Sequence, residues 1–418
     1  MRRFTVPTVL AAAALALAAG SATAAPPAPH TERISVSATG EQGDAVSQAP
    51  IVSANGRYAA FSSAASNLVP DDTNGTFDVF VRDLRTDTIE RVSVASDGTP
   101  GSGTSRVAAI SGNGRYVVFR SDALNLVPDA PDGPYGSYDV YVHDRRTGTT
   151  ELASVTPGGV TAHANWTADI SDDGRYVAFN AWPAPMESGP LGSNPAVYLH
   201  DRETGTTERV SNRERPTYAA YDFDLSGNGR HLAYSQNDVR STAGLTYVRD
   251  LRTGSEEQVN VTPEGAPSAR SASAPRLSAN GRTVTFESRA TDLVPGSEGP
   301  SATLIYVRNL RTGTTSRVPH DGAGATGAGG AALSADGRHL AYLVSAYEGD
   351  NVYVRDLRTG ETVLASVTVD GGPVTDHSFI LAPSLDAHGR TVGFSGYSAR
   401  FVPGDTNGQY DAFVRRLR

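Results

Sequence analysis

The chain has 418 residues, 39% hydrophobic and 19% charged, and its 36 basic and 45 acidic residues give a formal charge of -9. That is enough for a large folded core, and it argues against a disordered chain or a nucleic-acid partner. Every basic residue is arginine, with neither lysine nor cysteine present. This removes Schiff-base and P-loop lysine chemistry, thiol nucleophiles, disulfides, thiolate zinc sites and iron–sulfur clusters.

The first residues read as an export signal: Arg2 and Arg3, an apolar run from Val6 through Ala19, then Ala22-Thr23-Ala24 before Ala25-Pro26-Pro27. Cleavage is expected after Ala24, because the apolar run is Ala-rich and shorter than a bilayer-spanning helix. No other stretch is apolar enough to span. Residues 25–418 are therefore expected as a secreted, monomeric protein, extracellular or associated with the cell envelope.

From there one phrase recurs seven times: Ser53-Ala54-Asn55-Gly56-Arg57, Ser111-Gly112-Asn113-Gly114-Arg115, Ser171-Asp172-Asp173-Gly174-Arg175, Ser226-Gly227-Asn228-Gly229-Arg230, Ser278-Ala279-Asn280-Gly281-Arg282, Ser334-Ala335-Asp336-Gly337-Arg338 and the looser Asp386-Ala387-His388-Gly389-Arg390. The glycines step by 58, 60, 55, 52, 56 and 52 residues, a period suited to one four-stranded propeller blade. Asn-Gly or Asp-Gly between apolar runs predicts a two-residue type I′ hairpin joining strands one and two. Strand two is short and aromatic, as in Tyr58-Ala59-Ala60-Phe61. Strand three follows Val79-Phe80-Val81-Arg82-Asp83, and a Thr-Gly turn leads to a fourth strand such as Glu208-Arg209-Val210-Ser211. Helix-length periodic segments are absent, so the class is all-β.

The last copy stops where its fourth strand should begin, while Thr31-Glu32-Arg33-Ile34-Ser35-Val36 opens the chain as an orphan fourth strand matching Glu90-Arg91-Val92-Ser93-Val94. Pairing it into the last blade would close the ring and remove an exposed edge. The expectation is a seven-bladed β-propeller of four-stranded blades. The phrase Ser-x-Asn/Asp-Gly-Arg, followed by an aromatic strand and Val-Tyr-Val-Arg-Asp-Leu-Arg-Thr-Gly, resembles the WD40-like propeller repeats of the TolB type. That resemblance implies the fold over residues 25–418. It leaves function open, because such repeats occur in periplasmic translocation proteins, in peptidase propellers, in a pectic-fragment lyase and in secreted proteins without known role. No Gly-x-Ser-x-Gly elbow is present, which counts against peptidase chemistry.

The recurrent Arg after each turn Gly and the Asp ending strand three read as structural partners, since one active site needs no copy in each blade. Inserts in blades one and seven place Asp72, Asn74 and Asp78, and Asp405, Asn407 and Asp411, around a Gly turn. Hard oxygen donors at that spacing suit calcium, although the same residues also make simple Asx-turns. Blade two carries a degraded copy in Asp129, Asp132 and Asp139. Polar candidates at the channel mouth, where strand-four to strand-one loops converge, are His163, Trp166, Asp169, Tyr221, Asp222, Asp224, Arg276, Asp376 and His377. Small polar loops on a rigid ring suit recognition, and scarce aromatics rank a protein partner ahead of a glycan. The expectation is a non-catalytic binding or scaffold module. The alternative is a hydrolase or lyase at the channel mouth.

Overall fold

A computed structural model describes residues 28–128, 138–157, 164–182, 194–211, 218–238, 244–295, 302–319 and 325–417. These form seven four-stranded antiparallel sheets, and no helix occurs among the described residues. The first strands of successive blades contact one another in order around the ring, so they line a central channel and the fourth strands lie outermost. The seventh sheet is completed by the amino-terminal strand His30–Arg33, which pairs with Asp411–Arg416 in the register Glu32↔Val414. The expected closure is present.

Each blade is packed the same way. The aromatic of strand two stands directly across from that of strand three, and the rings stack: Phe61–Phe80 at 5.8 Å, Phe119–Tyr141 at 5.7 Å, Phe286–Tyr306 at 5.7 Å, Phe394–Phe413 at 5.5 Å. Such cross-strand pairs hold a sheet together and fill the space between neighbouring blades. Outer strands end earlier than the sequence suggests. The serine after the valine turns its hydroxyl inward to accept a strand-three backbone N–H (Val79 to Ser93 Oγ, 3.0 Å; Val197 to Ser211 Oγ, 2.8 Å), replacing the next ladder bond.

The hairpin of the repeat is not type I′. Ser53 N–H bonds Tyr58 O, closing a four-residue loop in which Gly56 alone takes positive φ. Asn55 Oδ1 accepts the N–H of Arg57 and the hydroxyl of Ser53, an Asx-turn that leaves only the glycine in the left-handed region. At Gly114 a Cβ would lie 2.1 Å from the Tyr58 ring of the preceding blade, so the glycine is needed for packing as well as for φ. First strands carry a register shift at the same place in six blades, for example between Gln48 and Ile51 and between Ser273 and Arg276. Ala49 and Ala274 sit there at φ 53° and 47°. Bulges of this kind re-aim side chains, and here they do so along the channel wall.

Candidate functional site

Strand direction separates two faces. Hairpins and three-to-four turns lie on one; two-to-three loops and the connections between blades lie on the other, here called the loop face. Asp169, Asp224 and Arg276 were expected on the loop face. Instead they occupy equivalent positions near the ends of inner strands Ala164–Ile170, Tyr218–Leu225 and Ala272–Leu277, on the channel wall toward the hairpins. The reason is that each precedes its hairpin serine by two residues, within the strand rather than in a connection. Asp169 Oδ2 accepts the N–H of Leu225 in the next blade at 2.8 Å, and Oδ1 that of Ile170 at 2.7 Å. Asp224 Oδ2 repeats the link to Leu277 N–H at 2.7 Å.

Burial pushes the carboxyl groups of Asp169 and Asp224 above the ordinary carboxylate range, and the charge of Asp169 adds to the rise at Asp224, while the backbone N–H bonds and Arg276, 4.0 Å from Asp224, pull them back only partly. Tyr221 is the bulged residue of the strand that carries Asp224, and Asp222 follows it. Glu287, which the sequence reading passed over, joins them: burial raises its pKa, Arg276 lowers it and Asp222 raises it, and one carboxylate oxygen accepts Gly330 N–H at 2.7 Å. Its position in strand two is a relay to the next blade elsewhere too, as Ser62 accepts Val107 N–H and Ser395 accepts Ala49 N–H. Glu287 and Arg289 also line an open cavity of about 600 Å³ on the loop face, walled by the Gly-rich strand Ala325–Leu333. Among the described residues no group of three or more His, Asp or Glu is arranged to hold a metal ion.

Asp376 and His377 do lie on the loop face, in the connection to blade seven, but they do not act on one another. Asp376 accepts the Ser398 hydroxyl at 2.6 Å and Ser378 N–H at 3.2 Å. His377, at φ 58°, places Nδ1 2.8 Å from the Tyr347 carbonyl, and its ring edge meets Tyr347 at 5.4 Å. A carbonyl cannot donate, so Nδ1 carries the proton. Near them three large aromatic side chains stand in solvent: Tyr347 is 84% exposed, Phe379 66% and Tyr397 50%. The antiparallel bridge Ile380↔Gly396 sets Phe379 across from Tyr397. His163 and the side chain of Trp166 lie outside the described residues, as do Asp129 and Asp132 of blade two.

The two inserts hold an arginine. Arg91 Nη1 lies 3.3 Å from Asp72 and 3.6 Å from Asp78, and Arg33 lies 3.8 Å from Asp405 and 3.6 Å from Asp411, all with nearly buried side chains. Asn74 spends its oxygen on Thr76 N–H and its amide on Asp78 and Gly101 O. Asn407 likewise donates to Gly43 O. The blades differ at one residue: Gln42 donates to both Asp405 and Asp411, at 2.9 and 3.0 Å, where blade one has Pro100. Asp72 lacks that donor, and burial beside Asp78 pushes it up to about 6. The inserts therefore latch the segment that follows the outer strand, and in blade seven this latch spans the ring seam.

No protein-family model matches the chain, and no curated protein is similar to it in sequence. Solved structures are similar in fold. An oligogalacturonate lyase in complex with manganese superposes with a TM-score of 0.57 at 12% identity, covering 93% of each chain. The β-propeller domain of the Trilobed protease from Pyrococcus furiosus, described as having an open velcro topology, gives 0.56 at 12% identity over 90% of this chain and 95% of that one. TolB from Acinetobacter baumannii gives 0.42 at 16% identity over 87% and 82%. The likeness to the first two, at these identities, establishes the propeller fold alone.

Proposed function

We propose that this chain, released outside the cytoplasm by cleavage after Ala24, is a non-catalytic propeller that binds a protein partner through its loop face over blades six and seven. The reading rests on one observation: Tyr347, Phe379 and Tyr397 stand exposed on adjoining loops, held by the His377–Tyr347 hydrogen bond and the Ile380↔Gly396 bridge. Large side chains are seldom left in water together, and rigid aromatic anchors concentrate binding energy at protein interfaces. Calcium has no part in this proposal, because Arg33 and Arg91 already supply counter-charge inside the inserts.

The catalytic alternative is the weaker reading for a specific reason. Asp169 uses both carboxylate oxygens, and Asp224 one of them, on backbone N–H groups that join neighbouring blades. Carboxylates committed in this way serve the ring. The test is capture of extracellular and envelope proteins on the immobilised protein, compared with Tyr347→Ser combined with Phe379→Ser. Retention of a discrete protein by the parent and its loss in the variant support the reading; equal retention by both rejects it.

A further inference from the structure

On the face opposite that patch, the repeat breaks its own rule in blade five and leaves positive charge unanswered beside an open cavity. In five blades the turn arginine is clamped by the aspartate ending strand three: Arg57–Asp83 at 2.6 Å, Arg115–Asp144 at 2.5 Å, and Arg175–Asp201, Arg230–Asp250 and Arg338–Asp356 each at 2.7 Å. In blade five, Asn309 occupies the aspartate's position. Its Oδ1 still accepts the N–H groups of Arg311 and Thr312, at 3.0 and 3.1 Å, so the turn is kept. Its charge is gone, and no carboxylate or other acceptor meets the guanidinium of Arg282 or of Arg311 among the described residues. Blade seven lacks the aspartate too: Arg416 takes its position and donates to Leu84 O across the junction, and the turn arginine there, Arg390, likewise meets no carboxylate among the described residues, but it lines no such cavity as the one in blade five.

The same junction is also underfilled. Between blades one and two the Arg145 guanidinium covers the Tyr58 ring at 4.3 Å, and between blades two and three Arg202 covers Tyr116 at 4.3 Å. Between blades four and five the equivalent residues are His231 and Leu310, both smaller. An open cavity of about 750 Å³ results, lined by Asn228, Arg230, His231, Asn280, Arg282 and Arg311, with Leu310 at its side. Arg230 is balanced by Asp250, so Arg282 and Arg311 are the uncompensated cations.

We propose that this junction is an oxyanion-binding site that takes a carboxylate, sulfate or phosphate group on Arg282 and Arg311, in the place where five blades keep their own aspartate. Planar guanidinium donors match such groups in paired hydrogen bonds, and the asparagine amides on the rim add neutral donors. The site stands independently of the loop-face reading.

The test uses inorganic phosphate and, separately, acetate, titrated into the purified protein by calorimetry at low ionic strength, where screening is weak. Saturable binding of either is expected, and the tighter of the two names the preferred group. Asn309→Asp restores the clamp found in five blades. It should fold at least as stably as the parent and weaken binding by about tenfold or more, the worth of a charged hydrogen bond. Arg282→Gln should weaken it comparably without adding a carboxylate. No saturable binding of either anion, or equal affinity in the parent and Asn309→Asp, overturns the proposal.

Discussion

His377 holds Tyr347 from two sides: its Nδ1 bonds the tyrosine carbonyl at 2.8 Å, and its ring meets the phenol edge-on at 5.4 Å. A residue at φ 58° without a glycine's freedom is kept there only because its surroundings fix it. The contact presents Tyr347 rather than burying it. His377→Ala should therefore weaken partner binding while leaving the melting temperature nearly unchanged; a large loss of stability with intact binding would give the histidine a purely structural role.

The turn glycines carry a sharper prediction for stability. Gly114→Ala places a Cβ 2.1 Å from a Tyr58 ring carbon at φ 75°. Overpacking and left-handed strain together should cost about 2–3 kcal/mol in chemical denaturation. Gly148, also at positive φ but with nothing within 4 Å of a Cβ, should lose less on the same substitution.

Inside the blade-one insert, Arg91 neutralises two buried aspartates. Arg91→Ala leaves Asp72 and Asp78 facing one another without a cation and should destabilise by about 3 kcal/mol. Adding Asp72→Asn should recover part of that loss, a coupling that a double-mutant cycle measures directly. The parent's melting temperature should be the same in millimolar calcium and in chelator. A rise in calcium that disappears in Asp72→Asn would assign the ion to this loop.

Stability should pass through a maximum on the acid side of neutrality. Burial pushes Asp72 up to about 6 and Asp139 up to about 7, so these two groups bind protons in the folded chain that the unfolded chain does not and add stability as pH falls from about 8 toward 5, opposed at the lower end by His143, His200 and His231, which burial holds neutral. The clamps act oppositely. Arg115 holds Asp144 down at about 2, so its contribution is present above the ordinary carboxylate range and is lost as pH drops through about 2. Melting temperatures across pH 2.5–8 check both limbs, and Asp139→Asn should flatten the upper one.

Much of the fold is legible in the sequence. Ser-x-Asn/Asp-Gly-Arg marks a blade because Asn55 and Ser53 satisfy the turn locally, and the orphan strand Thr31-Glu32-Arg33-Ile34-Ser35-Val36 announces how the ring closes. The turn type is not legible, because Asn-Gly permits two positive φ angles, while the bond that Asn55 Oδ1 accepts from Arg57 N–H needs only one. The inserts were ambiguous for a longer-range reason: in blade seven the cation that answers Asp405 and Asp411 is Arg33, at the other end of the chain. The channel carboxylates were named, but their commitment to Leu225 and Leu277 depends on bulges that side-chain alternation does not reveal. Glu287 lies in an aromatic strand and acts on the neighbouring blade, so only its relation to Gly330 exposes its role.

The most direct test of the account is retention of a protein from the extracellular and envelope fractions on the immobilised parent and on the Tyr347→Ser, Phe379→Ser variant, with melting curves run on both. The account predicts matching melting curves, a discrete protein held by the parent, and its loss from the variant. Equal retention by both proteins, or none by the parent, would contradict it.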